Sequence, residues 1–108
     1  MYKEKDVHDA IDLYGRSKLL GEVDYDGHLT FRTSIIGHEM NNSVSLIDWF
    51  LRQTGFVNGF SNAVFSGLPT VCVAEFLEEH VLNQFISGLF HLSVEPIDKY
   101  RLLNIVAR

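Results

Sequence analysis

The feature that most constrains this chain is a helix that runs, across a very short connection, straight into a strand. Residues 9–23 place Ile11, Tyr14, Lys18, Leu19 and Leu20 at helical spacing, with Asp9 and Asp12 near the start, where acids suit the positive end of a helix dipole. Asp26-Gly27 is a turn dipeptide. Residues 29–36 then read Leu-Thr-Phe-Arg-Thr-Ser-Ile-Ile, rich in β-branched and aromatic side chains and closed by Gly37. A helix delivered directly into a strand is the second half of a βαβ unit, so the expected class is α/β. The strand that should precede the helix, and pair beside residues 29–36, is not in the sequence. The chain is therefore expected to be the later part of a larger α/β protein.

The remainder continues the alternation. Ser45, with Asp48 three residues on, opens a helix whose apolar stripe is Leu46, Ile47, Phe50 and Leu51. A loop rich in glycine and asparagine follows, with room for one or two short strands. Residues 70–85 are expected to form a long amphipathic helix with Ala74, Leu77, Val81 and Phe85 on its inner face and Glu75, Glu78 and Glu79 in water. Gly88 should break the chain before a strand at 89–94. Asp98 should cap a last helix that buries Leu102, Leu103 and Val106.

Composition narrows the function classes. With 46% hydrophobic and 21% charged residues, the chain has the balance of a soluble globular domain. A net charge of −5 with scattered Lys and Arg argues against a nucleic-acid partner. The apolar runs fall far short of the roughly 20 residues of a membrane span. Cys72 is the single cysteine, so no internal disulfide can form, and the expected setting is the cytoplasm. His8, His28, His38, His80 and His91 are widely spaced and form no metal-binding pattern, so no metal is expected. Ser17 has no His-plus-acid arrangement nearby, which weakens a hydrolase reading.

The segment that carries chemistry is Tyr14-Gly15-Arg16-Ser17-Lys18-Leu19-Leu20-Gly21-Glu22. Four residues apart on a helix, Tyr14 and Lys18 share a face about 6 Å apart along the axis. A phenol alone is a poor acid–base group near neutrality, and a neighbouring ammonium favours its ionised form. Such a pair can exchange a proton with a carbonyl or alcohol oxygen. By spacing alone, an ordinary surface pair is the commoner outcome.

The surrounding residues add a resemblance. The run 14–22 is similar to the active-site helix of extended short-chain dehydrogenase/reductases, and most similar to the dTDP-4-dehydrorhamnose reductase group and its sugar-nucleotide relatives. Phe31-Arg32-Thr33-Ser34-Ile35-Ile36-Gly37 resembles the next core strand of that family. Ser66-Gly67-Leu68-Pro69-Thr70 resembles the loop before its late helix, and Gly88-Leu89-Phe90-His91-Leu92 with Pro96-Ile97-Asp98-Lys99-Tyr100 resembles its closing strand and helix.

The resemblance implies the C-terminal portion of a Rossmann-type enzyme. Residues 1–37 would end the dinucleotide-binding domain, and residues 38–108 would form a small α/β substrate-binding lobe. The implied activity is NADP- or NAD-dependent reduction of a 4-keto sugar nucleotide, with Tyr14 and Lys18 catalytic. Those two residues, with Thr33, Ser34 and Ile35, would face the cofactor, and Asn58, Asn62 and Phe65 would face the nucleotide sugar. The family's glycine-rich phosphate loop and its upstream Ser or Thr have no counterpart in this sequence. The isolated chain is accordingly expected to be inactive and to self-associate through apolar surface around Ile11, Leu20 and the strand. Two alternatives stay open: a sugar-nucleotide epimerase or dehydratase using the same Tyr and Lys, and a non-catalytic binding subunit of the same fold.

Overall fold

The structure is a computed structural model that describes residues 2–41 and 45–108. It is a small mixed α/β molecule with short parallel two-stranded sheets. The elements, in chain order, are α1 (Leu13–Leu20), β1 (Leu29–Thr33), β2 (Ile35–Ile36), α2 (Leu46–Leu51), β3 (Val64–Phe65), β4 (Leu68–Pro69), α3 (Thr70–His80), β5 (Gly88–Leu92), β6 (Ile97–Asp98) and α4 (Lys99–Val106). β1 pairs in parallel with β5, Leu29 facing Gly88 and Thr33 facing Leu92. β2 pairs in parallel with β4, and β3 pairs antiparallel with β6. The β1 segment therefore has a parallel neighbour from within the chain.

Helix α1 is shorter than the sequence periodicity suggests, and the cap is the reason. Asp12 is extended and its carboxylate accepts from the Gly15 N–H at 3.1 Å, which fixes the helix start there. Asp9 lies upstream, where it accepts a hydrogen bond from the Tyr2 hydroxyl and caps nothing. No residue of α1 is buried, and Ile11, Leu13 and Leu20 face solvent.

The strand expected across 29–36 is divided at Ser34. Its carbonyl accepts from the Leu68 N–H at 3.0 Å, so the chain leaves β5 and joins β4 at that residue. Gly67 makes the crossing possible, because a Cβ there would lie 2.0 Å from the Ser34 carbonyl oxygen.

Helix α3 stops at His80, short of Phe85. Leu82 N–H and Val81 N–H both bond the Leu77 carbonyl, and this wider turn unwinds the helix while the apolar spacing continues. The inward face is Cys72, Val73, Phe76 and Leu77, whereas Ala74 and Phe85 are exposed. Phe76 meets Phe31 of β1 edge-on, ring centroids 5.7 Å apart, and Phe31 lies 6.4 Å from Phe90 of β5. α3 thus touches the β1–β5 pair through Phe76 on Phe31. Gly88 belongs to β5 and does not end a segment before it; its φ of +122° is a conformation open to glycine.

Asp98 caps α4 by accepting from the Arg101 N–H at 2.9 Å. Among the described residues the buried hydrophobic side chains are Ile47 of α2, Leu68 of β4 and Leu103 of α4, so the core is thin. No helix is long and apolar enough to cross a membrane among the described residues.

Candidate functional site

Two regions carry the residues singled out by sequence. The first is the open face of α1. The Asp12 cap sets the register of the helix, which puts Tyr14 and Lys18 one turn apart on the same side. The Lys18 Nζ lies 5.3 Å from the centroid of the Tyr14 ring, a cation–π contact. Tyr14 is 72% exposed. Ser17, between them, donates its hydroxyl to the Tyr14 carbonyl and is spent on the helix backbone. The phenol and the ammonium are therefore available to an incoming ligand.

The second region is a groove of about 850 Å³ at the C-terminal ends of the parallel strands β1 and β5. Thr33, Ser34, Ser66 and Ser93 line it, with Tyr2 and Glu95. Parallel α/β sheets place ligands beyond the carboxyl ends of their strands, where the connecting loops diverge. The break at Ser34 creates this mouth, because β1 and β2 leave in different sheets.

The structure joins some predicted residues and separates others. Thr33 and Ser34 share the groove with Ser66 and Ser93. Ile35 begins β2 and is half exposed, but it does not line the groove. Tyr14 and Lys18 lie outside it on α1. Asn58 and Asn62 are exposed in the connection between α2 and β3, and Phe65 is half-buried in β3 opposite Ile97.

Beside the groove is a cluster that the sequence reading missed. Arg32 of β1 grips Glu22 with two donors, Nε to Oε1 at 2.6 Å and Nη2 to Oε2 at 2.8 Å. Its Nη1 donates to the Glu4 carbonyl at 3.1 Å, and its Nη2 lies 2.9 Å from His8 Nε2. The Arg32 guanidinium holds the Glu22 carboxyl below its ordinary range, and Glu22 in turn raises the guanidinium's. The Glu4 carboxylate accepts from the His91 N–H of β5 at 3.1 Å, and that bond lowers the Glu4 carboxyl. The available signal was Arg32 itself: an arginine inside a half-buried strand needs an acid.

A second polar cluster has the composition of a hydrolase triad without its geometry. Asp48 accepts from the Glu39 N–H at 2.8 Å and the Ser45 hydroxyl at 2.9 Å, and its other oxygen lies 2.7 Å from His38 Nδ1. These bonds lower the Asp48 carboxyl to about 2. The serine bonds the acid and not the histidine, so it gains no general base. Among the described residues no group of three His, Cys, Asp or Glu is placed to hold a metal ion.

A phenol and an ammonium share one open helix face, and the sequence offers no glycine-rich loop to cradle a pyrophosphate. Comparisons with protein families, curated proteins and solved structures each give no match to this chain.

Proposed function

We propose that this chain is the C-terminal portion of an NADP- or NAD-dependent reductase of a 4-keto sugar nucleotide. The observation that carries the reading is the run Tyr14–Glu22, whose Tyr14 and Lys18 lie in contact on the open face of a helix that leads directly into a parallel strand. When bound, the dinucleotide supplies hydride. The chain's own residues do the rest. As negative charge develops on the keto oxygen, the Tyr14 hydroxyl donates its proton to it. The Lys18 ammonium stabilises the phenolate left behind and donates hydrogen bonds to the ribose hydroxyls. Thr33 and Ser34 line the mouth of the groove on the cofactor's side, and Ile35, the third residue that the resemblance assigns to the cofactor, follows them in β2 outside that lining. Asn58, Asn62 and Phe65 belong to the segment that walls the nucleotide sugar. The pyrophosphate site comes from a dinucleotide-binding half joined to this chain, and the chain alone is inactive.

The test uses the chain joined to that half, with NADPH or NADH oxidation followed in the presence of a 4-keto sugar nucleotide. Tyr14→Phe should lower turnover by about 10²-fold or more, the scale of a lost general acid, with a much smaller change in substrate binding. Stoichiometric release of oxidised cofactor marks a reductase, whereas an epimerase or dehydratase returns its cofactor unchanged. Near-normal turnover in Tyr14→Phe refutes the assignment.

A further inference from the structure

The turn at residues 60–63 is tied to the start of α4 and holds an aromatic ring in the open. Lys99 N–H donates to the Ala63 carbonyl at 2.7 Å, and Ala63 N–H donates to the Phe60 carbonyl at 3.1 Å. Gly59 presses so closely on Tyr100 that a Cβ there would lie 2.5 Å from the ring's Cδ2. Phe60 follows with a φ of +55°, a left-handed conformation that bulky side chains rarely adopt, and it is exposed. Strain of this kind persists where surrounding contacts fix it, and ligand clamps are a common setting.

The strained turn holds one wall of a cation site. Lys99 Nζ lies 5.1 Å from the centroid of Phe60 and 5.5 Å from that of Trp49 on α2. Among the described residues this ammonium has no ion-pair partner. The carboxylate next to it in the chain, Asp98, is paired with Arg101 at 3.3 Å and caps α4. Ring faces attract an ammonium and leave N–H donors for an anion.

Beside this cation is an open cavity of about 220 Å³, with Phe50, Phe56, Gly59, Tyr100 and Asn104 on its wall. Phe50, Gly59 and Tyr100 are the chain neighbours of Trp49, Phe60 and Lys99. Cavity and cation therefore share three stretches of backbone and lie about a helix width, 10 Å, apart. Asn104 donates its amide N–H to the Tyr100 carbonyl at 2.8 Å, which leaves its amide oxygen to accept. The volume is below that of a site for a whole drug-sized ligand and suits one flat ring system whose remainder runs outward.

We propose that this is a nucleoside diphosphate site. The base stacks among Phe50, Phe56 and Tyr100, Asn104 accepts from an N–H on its edge, and the Lys99 ammonium takes the diphosphate. The choice of diphosphate as the anion rests on the nucleotide-sugar reading above, in which Asn58 and Asn62, on either side of Gly59 and Phe60 in the chain, wall the sugar.

Trp49 is the only tryptophan, so its emission reports on the surroundings of Lys99. The whole chain is titrated with UDP and, separately, with ADP, and each titration is repeated by calorimetry. At least one nucleotide should saturate by millimolar concentration with a change in Trp49 emission. Its nucleoside, and inorganic diphosphate, should each bind at least about tenfold more weakly, since each makes half of the contacts. Lys99→Met keeps the aliphatic stem and loses the charge, and should weaken the nucleotide by about tenfold or more. Phe56→Ala removes a ring that stands in solvent, and should weaken it by about fivefold or more. Lys5→Met, the same charge change in the N-terminal segment, should leave binding unchanged. Circular dichroism of each variant should match the native chain. The site is overturned by any of four results: neither nucleotide saturating, heat without a change at Trp49, diphosphate binding as well as the nucleotide, or equal losses in Lys99→Met and Lys5→Met. Emission that follows protein concentration and not nucleotide assigns the patch to a contact between copies and also overturns it. These readouts need no turnover. UDP or ADP binding without cofactor oxidation in the joined enzyme sinks the reductase reading alone, whereas Tyr14-dependent turnover with a KM unmoved by Lys99→Met and Phe56→Ala sinks this site alone.

Discussion

Replacing Glu22 by Gln tests the two-bond ion pair that ties the segment after α1 to β1. Glu22 and Arg32 meet through two charge-assisted hydrogen bonds, at 2.6 and 2.8 Å, with side chains 19% and 23% exposed. Exposed ion pairs contribute about 0.2–1 kcal/mol, and hydrogen bonds to charged groups about 1.5–3 kcal/mol. This pair lies between those cases, because water still reaches about a fifth of it. Gln keeps one acceptor for the guanidinium but removes the charge and the second acceptor. Arg32 keeps the Glu4 carbonyl and His8, so it is not stranded. The expected loss is about 1–2 kcal/mol, which for a chain of this size lowers Tm by about 5–15 °C. The pH dependence has a definite sign. The folded Glu22 carboxyl is held below its ordinary range, so its stabilisation is present above the unfolded value of about 4.3 and lost as pH falls through the lower folded value. Urea titrations of both chains, followed by circular dichroism at protein concentrations low enough to suppress association, should show the gap at pH 7 narrowing below about pH 4. A gap under about 0.5 kcal/mol at pH 7, or one that does not narrow in acid, refutes the reasoning.

Two further perturbations follow from local geometry. Gly67→Ala would set a methyl 2.0 Å from the Ser34 carbonyl oxygen and 2.5 Å from its carbon, both backbone, so the β2–β4 crossing must shift; the expected loss is about 2 kcal/mol or more by urea unfolding, and an unchanged midpoint refutes it. Asp48, with its carboxyl lowered to about 2 from 3.8, stabilises the fold above pH 3.8, and that contribution disappears as pH falls through about 2. Carboxyl-carbon NMR should place its titration midpoint near 2, and Asp48→Asn should flatten the stability curve between those two values.

What could be read from the sequence was what local chemistry decides. Ser45 and Asp98 cap helices as expected, because their side chains satisfy N–H groups two or three residues away. The α/β alternation was legible for the same reason. The break at Ser34 was not, because it depends on Leu68, a partner distant in sequence. Helix α1 was overextended in the reading because Asp9 and Asp12 are equally good caps on paper, and the Tyr2 hydroxyl engages one of them. Tyr14 and Lys18 were visible through their spacing, and their contact is local. The Arg32 cluster was hidden because it collects residues from positions 4, 8, 22, 32 and 91, and no periodicity links them.

The parallel pairing of β1 with β5 also governs the order in which this polypeptide acquires structure. Leu29 has its partner in Gly88 and Thr33 in Leu92, so the largest sheet waits for nearly the whole chain to be reeled in. Closing so long a loop costs entropy before any ladder bond forms, and such topologies assemble slowly. Until β5 arrives, β1 is an unpaired strand with Phe31 lacking its aromatic neighbour on β5. During synthesis that strand is made before β5 and stays unpaired while the intervening segments follow, which leaves its edge open to pairing with another nascent copy.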